Sequence, residues 1–229
     1  MALYAIADLH LSLGTDKPMD DFPGWSGYVD RLQKNWIATV SEQDAVVIPG
    51  DISWGMSLQE ALPDFRFLQS LPGQKLLLKG NHDYWWNTRK KMENFFSENG
   101  LSSLTIIHND SYDLGDGRAV CGTRGWFYDA EADEDKKILM REIGRLHASI
   151  THAEDRGLTP VVFLHYPPLF GGTVCQEMMN ALTEHKIWRC YYGHIHGHAI
   201  KQAFTGVSNG VAFHLISGDH LGFRPALIP

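Results

Sequence analysis

The sequence predicts a layered α/β domain, and three observations carry that prediction. Short apolar runs alternate along the chain with segments of helical periodicity. Several of those runs are hydrophobic at every position, as strands are when both faces of their sheet are covered. Composition is that of an ordinary folded domain, 44% hydrophobic and 21% charged over 229 residues, enough chain for a sizeable core without disulfides. Residues 1–229 read as one domain, with no internal repeat, low-complexity segment or linker-like shift in composition.

Taken in order, the expected strands are Leu3–Ala7, Ala45–Pro49, Lys75–Leu78, Leu104–Ile107, Ala119–Gly122, Val161–Leu164, Cys190–Tyr192 and Val211–Ile216. Between the first two, Val29, Leu32, Trp36 and Val40 make one helical stripe. Residues 57–69 make the next helix, burying Leu58, Leu62, Phe65 and Leu68. Pro63 either kinks it or marks its true start. Leu71-Pro72-Gly73 closes that helix, and Gly115-Asp116-Gly117 has the composition of a hairpin turn. The longest helix covers residues 133–156, where Leu139, Ile143, Leu146, Ile150 and Ala153 share one stripe. Gly14 to Gly27 is one long irregular loop, either an ordinary surface loop or the border of a site beyond the first strand.

Twenty Lys and Arg against 27 Asp and Glu give a net charge of −7, which argues against generic nucleic-acid binding. Cys121, Cys175 and Cys190 are scattered, odd in number and lack a C-x-x-C pair. They read as free thiols, buried or half-buried in a reducing compartment. The opening Met-Ala-Leu-Tyr-Ala-Ile-Ala has no basic segment and runs straight into the first strand, so neither signal peptide nor anchor is expected. The apolar runs fall far short of the roughly 20 residues of a membrane span, so no membrane partner is expected. The expected location is cytoplasmic.

The residues able to do chemistry collect where expected strands end. Asp8 and His10 follow the first strand, Asp51 the second, Asn81 and His82 the third, His165 the sixth, and His194 and His196 the seventh. Strand C-terminal ends are where α/β proteins gather their sites. Oxygen and imidazole donors without thiolates suit Mn, Fe, Zn or Ni. On an extended chain, residues two apart project to the same side, so each close pair could grip a cation from one strand end. Taken singly, every piece has a plain alternative as a strand end or turn. The ordered set points to a two-metal hydrolytic site.

In that order Asp8-x-His10, Gly50-Asp51, Gly80-Asn81-His82-Asp83, His165 and Gly193-His194-Ile195-His196 resemble the signature of the calcineurin-like metallophosphoesterase superfamily. Gly50-Asp51-Ile-Ser-Trp54 and Gly80-Asn-His-Asp-Tyr-Trp-Trp86 are similar to its small bacterial phosphohydrolases. The resemblance implies a four-layer α/β/β/α sandwich, two mixed β-sheets face to face with helices outside. It implies two divalent metal ions, one held by Asp8, His10 and His196, the other by Asn81, His165 and His194. Asp51 would bridge them, because dications about 3.5–4 Å apart repel strongly without an anion between. The implied reaction is in-line attack of a metal-bridged hydroxide on a phosphomonoester or phosphodiester. His82 would contact the phosphate or protonate the leaving oxygen. The implied partner is a small phosphorylated substrate, with nucleotide, phosphodiester and phosphomonoester all open, as is the oligomeric state. Some members of this fold that have lost ligands are catalytically silent scaffolds for protein partners. Here all seven ligand positions and His82 are present. A structural or storage metal site would be coordinatively closed, unlike the open dinuclear arrangement implied.

Relatives that dephosphorylate proteins carry Gly-Asp-x-x-Asp-Arg-Gly at the second motif. This chain has Trp54 and Gly55 in place of the orienting Asp and the phosphate-gripping Arg, which argues against a protein phosphatase. Arg124, after the fifth strand, is a candidate to supply the missing charge, or else a packing guanidinium. Trp54, Tyr84, Trp85, Trp86 and Trp126 read first as packing under the loops, second as a stacking wall for a base or aryl group. Gly171-Gly172-Thr173 could open a helix whose N–H groups meet an anion. His198 reads equally as an orienting neighbour of a ligand or a surface imidazole. His108, His147, His152, His185, His214 and His220 have no motif context and read as structural, and Gly218-Asp219-His220 as a loop.

Overall fold

The structure, a computed structural model, describes residues 1–126 and 133–229. The apolar runs of the first half form one sheet. β1 (Leu3–Ala5), β2 (Ala45–Pro49), β3 (Gln74–Leu78) and β4 (Leu104–Ile106) lie parallel, joined by α1 (Tyr28–Ile37), α2 (Leu62–Ser70) and α3 (Arg89–Glu98). The second half repeats the scheme. It contains β5 (Tyr112–Asp113), β6 (Arg118–Thr123), α4 (Asp133–Glu154), β7 (Thr159–Leu164), β8 (Leu169–Phe170) and β9 (Thr173–Val174). After these come α5 (Gln176–Glu184), β10 (Arg189–Tyr192), β11 (Gly206–Ser208), β12 (Val211–Leu215) and β13 (Ala226–Ile228). In the second sheet β6, β7, β10 and β12 are parallel neighbours, edged by antiparallel β5 and β11. β13 returns to the first sheet and pairs antiparallel with β1, so both sheets are mixed.

Alternation along the buried strands builds three apolar layers. Ala5, Val47, Leu76 and Leu78 of the first sheet meet Val120, Phe163, Tyr191 and Ile216 of the second. The alternate residues Val46, Ile48 and Leu77 face outward onto Leu32 and Trp36 of α1, Phe65 of α2 and Met92 of α3. On the far side Cys121, Val162, Cys190 and Phe213 pack under Leu146 and Ile150 of α4 and Met179 of α5. With each strand face covered, no position is left for polar alternation, which is why the runs read as continuously hydrophobic. The architecture is the expected four-layer sandwich of helices, sheet, sheet and helices.

Several elements differ from expectation. The helix expected over residues 57–69 starts at Leu62, with Pro63 in its first turn, where a missing N–H costs nothing; Leu58 is buried from the preceding loop. α3 was not foreseen: its buried stripe, Met92, Phe95 and Phe96, is short and set among charged residues. Gly171 and Gly172, both at positive φ, turn the β8–β9 hairpin; α5 starts later, at Gln176. Gly115-Asp116-Gly117 does join β5 to β6 as a hairpin, and the three cysteines are buried and free. Among the described residues, no helix is long and apolar enough to cross a membrane.

Candidate functional site

Five parallel strands deliver the chemistry-bearing residues to one edge of the sandwich: Asp8 and His10 beyond β1, Asp51 beyond β2, Asn81 and His82 beyond β3, His165 beyond β7, and His194 and His196 beyond β10. The delivery is not by an extended chain. Asp8, His10, Asp51 and His194 have φ of 56°, 44°, 51° and 69°, in the left-handed region that non-glycine residues seldom occupy. Same-side projection from an extended strand is therefore corrected for Asp8/His10: each side chain is aimed by a backbone kink. Surrounding hydrogen bonds hold the kinks. Asp8 N donates to Gly50 O at 3.1 Å, His10 N to Asp51 O at 2.9 Å, and His194 N to the Asp8 carboxylate at 2.9 and 3.0 Å.

Two glycines let the second and third loops touch. A Cβ on Gly50 would come 2.6 Å from Gly80 Cα and from His165 Nδ1, and one on Gly80 would overlap Asp51 N and Oδ1. Asp83 then clamps the loops together. Its buried carboxylate accepts from Gly80 N at 2.7 Å, Asp51 N at 3.0 Å, Ile52 N at 2.9 Å and the Trp85 indole at 3.0 Å. Burial, helped by nearby Asp51, pushes its pKa up to about 7 while the N–H donors pull it down. Sequence reasoning saw Asp83 only as part of a motif; the long-range partners that define its role leave no local signal.

The donors form two clusters that share a carboxylate. Asp51, His165 and His194 present ligand atoms within 4.8 Å of one another, and so do Asp8, His10 and Asp51. Asn81 joins the first: its Oδ1 lies 2.7 Å from His165 Nε2 and 2.9 Å from His194 Nδ1. His196 lies beside the second, its ring 5.4 Å from that of His10. Of His194 and His196, two apart in sequence, the first stands in one cluster and the second beside the other. All seven candidate positions are brought together.

The electrostatics fit cations. Burial holds three of the imidazoles uncharged, taking His165 to about 3, His194 to about 2 and His10 well below its ordinary value. Burial also raises Asp51, and burial together with Asp51 raises Asp8. Among the described residues, His10 Nε2 is buried without a hydrogen-bond partner. Converging carboxylates, neutral imidazoles and an orphaned ring nitrogen are the donor set that hard-to-borderline dications take, and that binding would compensate.

His82 stands at the rim. Its backbone N donates to Asp51 Oδ1 at 2.8 Å, and its ring nitrogen Nδ1 lies 3.4 Å from the Tyr84 hydroxyl. Trp54 packs 4.6 Å from the His82 ring and stacks on His10 at 5.0 Å, occupying the place where an orienting carboxylate was missed. Aromatic contacts and a hydroxyl hold this histidine instead. Of the other aromatics, Trp85 is buried on Phe65 and Asp83, and Trp86 tilts against it, which is packing.

Arg124 places its guanidinium over Trp126 and 3.5 Å from the buried Glu142 of α4, lining a small cavity with Lys79, His108 and Arg145, while its Nε is buried with no hydrogen-bond partner among the described residues. The loop from Gly14 to Gly27 does border the site: Met19, Phe22 and Pro23 line a cleft that reaches His82 and His196. His198 is exposed and lines the same cleft. Asp219 accepts from Gly197 N at 2.7 Å, so Gly218-Asp219-His220 is a loop that secures the histidine turn. His147 and His185 pair with each other, His152 accepts from Ser111 N, and His214 stacks on Tyr191.

The profile of the calcineurin-like phosphoesterase family matches residues 1–198. Two solved structures superpose over almost the whole chain: the protein of unknown function AQ665 from Aquifex aeolicus and a phosphopantetheinyl hydrolase from Mycobacterium tuberculosis. Each is 13% identical, with a TM-score of 0.52, covering 99% of this chain and 95% of its own. At that identity the likeness establishes the fold. No curated protein sequence matches significantly.

Proposed function

Since the chain belongs to the calcineurin-like phosphoesterase family, and is thereby a metal-dependent hydrolase of phosphoric esters, we propose that its two donor clusters form a dinuclear centre acting on a small phosphoester. The observation that carries this reading is Asp51, whose carboxylate belongs to both clusters. Asp8, His10 and His196 would hold one ion, Asn81, His165 and His194 the other, and Asp51 both. Bound ions there would lower the pKa of a water and neutralise charge on the phosphoryl oxygens.

The remaining work falls to the chain. With Nδ1 against Tyr84, the His82 ring has Nε2 left for the substrate, where it can hold a phosphoryl oxygen or give a proton to the leaving oxygen. Arg124, tied to Glu142 and Trp126, belongs in this reading to the frame that seats Thr123 and α4. The rival, a silent scaffold, is disfavoured because every donor position is filled.

Metal content and turnover of aryl phosphomonoesters and phosphodiesters with Mn²⁺ test the proposal, with Asp51→Asn as control. Loss of the shared carboxylate should cut kcat/KM by roughly 10²-fold or more and reduce bound metal. An active Asp51→Asn enzyme, or a wild type inert with Mn, Fe, Zn and Ni, would overturn it.

A further inference from the structure

We infer that the cleft beside His82 is a subsite for a flat aromatic group esterified to the substrate's phosphorus, which rests on the phosphoesterase reading above and names the class of ester it serves. The cleft encloses about 670 Å³, within the roughly 300–1,000 Å³ usual for small-molecule sites. Its inner end is made by the imidazoles of His10, His82 and His196, so a phosphoester seated at the donor clusters would point its substituent directly into it. Beyond them the lining is mainly apolar, with Met19, Phe22 and Pro23 from the long loop together with Trp54 and Ile200, alongside His198 and Asp219.

Two features of the lining favour an aromatic occupant over a sugar, a peptide or a flexible chain. Phe22 holds its ring 55% exposed at the mouth, an apolar surface that a stacked ring would cover. The one carboxylate among the described lining residues, Asp219, is held to its own turn, accepting from Gly197 N and His220 N. Lys17, with Nζ 4.6 Å over the Trp54 ring, adds a cation at the same rim.

Phenylphosphonate and methylphosphonate, whose P–C bonds resist hydrolysis, separate the ring from the phosphorus. Their binding to the Mn²⁺-loaded protein is measured by calorimetry and by tryptophan fluorescence, for wild type and Phe22→Ala. The exposed position of Phe22 makes that variant safe for folding. The expected result is phenylphosphonate binding at least roughly tenfold tighter than methylphosphonate, with Phe22→Ala cutting the ratio about threefold and leaving methylphosphonate unchanged. Equal affinities, or a preference untouched by Phe22→Ala, overturn the subsite while phosphoester turnover keeps the dinuclear reading intact. Should neither phosphonate bind and no phosphoester turn over, both fall together.

Discussion

At the scale of single residues, the site depends on two absences of a side chain. Gly50 and Gly80 bring the Asp51 and Asn81 loops into backbone contact, and Asp83 can clamp both only because they touch. Gly80→Ala should therefore separate the loops and misplace the shared carboxylate. Bound Mn²⁺ should drop at least roughly tenfold and activity with it, since metal affinity follows ligand placement. Circular dichroism should remain that of a folded chain; full metal content in this variant would refute the contact argument. The donors themselves were legible, because each polar residue stands out behind an apolar run. Their left-handed backbone was not: φ at Asp8, His10, Asp51 and His194 is imposed by neighbours from other strands. Nor was the substitute for the missing orienting carboxylate: Tyr84 is two residues away, but Trp54 reaches His82 only through the fold.

At the scale of elements, the loop after β2 is anchored to α2 by a second buried acid. Asp64 accepts from the Ser53 hydroxyl and from Leu13 N at 2.7 Å, and burial raises its pKa to about 6. Folding thus retains a proton that the unfolded chain releases near pH 4. The stabilisation is complete below that value and is lost as pH rises through about 6. Compared with Asp64→Asn, wild-type stability in urea should fall by on the order of 2 kcal/mol between pH 4 and pH 7; parallel pH profiles would remove the effect. Elements with long, regular stripes, such as α4, were readable from periodicity. α3 and the short strands β8, β9 and β13 were not, because three or fewer buried positions leave no period to detect, and β13 exists only through its pairing with β1.

At the scale of the whole molecule, three apolar layers insulate everything except the strand ends. Cys121, Cys175 and Cys190 lie in the layer beneath α4 and α5, and burial raises all three thiols, Cys121 to about 12. Ellman's reagent should leave the native protein unlabelled and titrate three thiols on unfolding; rapid labelling under native conditions would mean that this layer opens independently. The layered class was legible from continuously hydrophobic runs, whereas the return of β13 to the first sheet was not. That return, with its neighbours, orders events in time. Ala7 N donates to Ile216 O, Gly218 N donates to Ala7 O, and β13 closes the free edge of β1. A ribosome releases Asp8 before the other donors, yet Ile216 and Gly218, which seat its strand end, follow every one of them. The first donor made waits for most of the chain, so a partly synthesised protein holds its metal-binding groups without the scaffold that aims them.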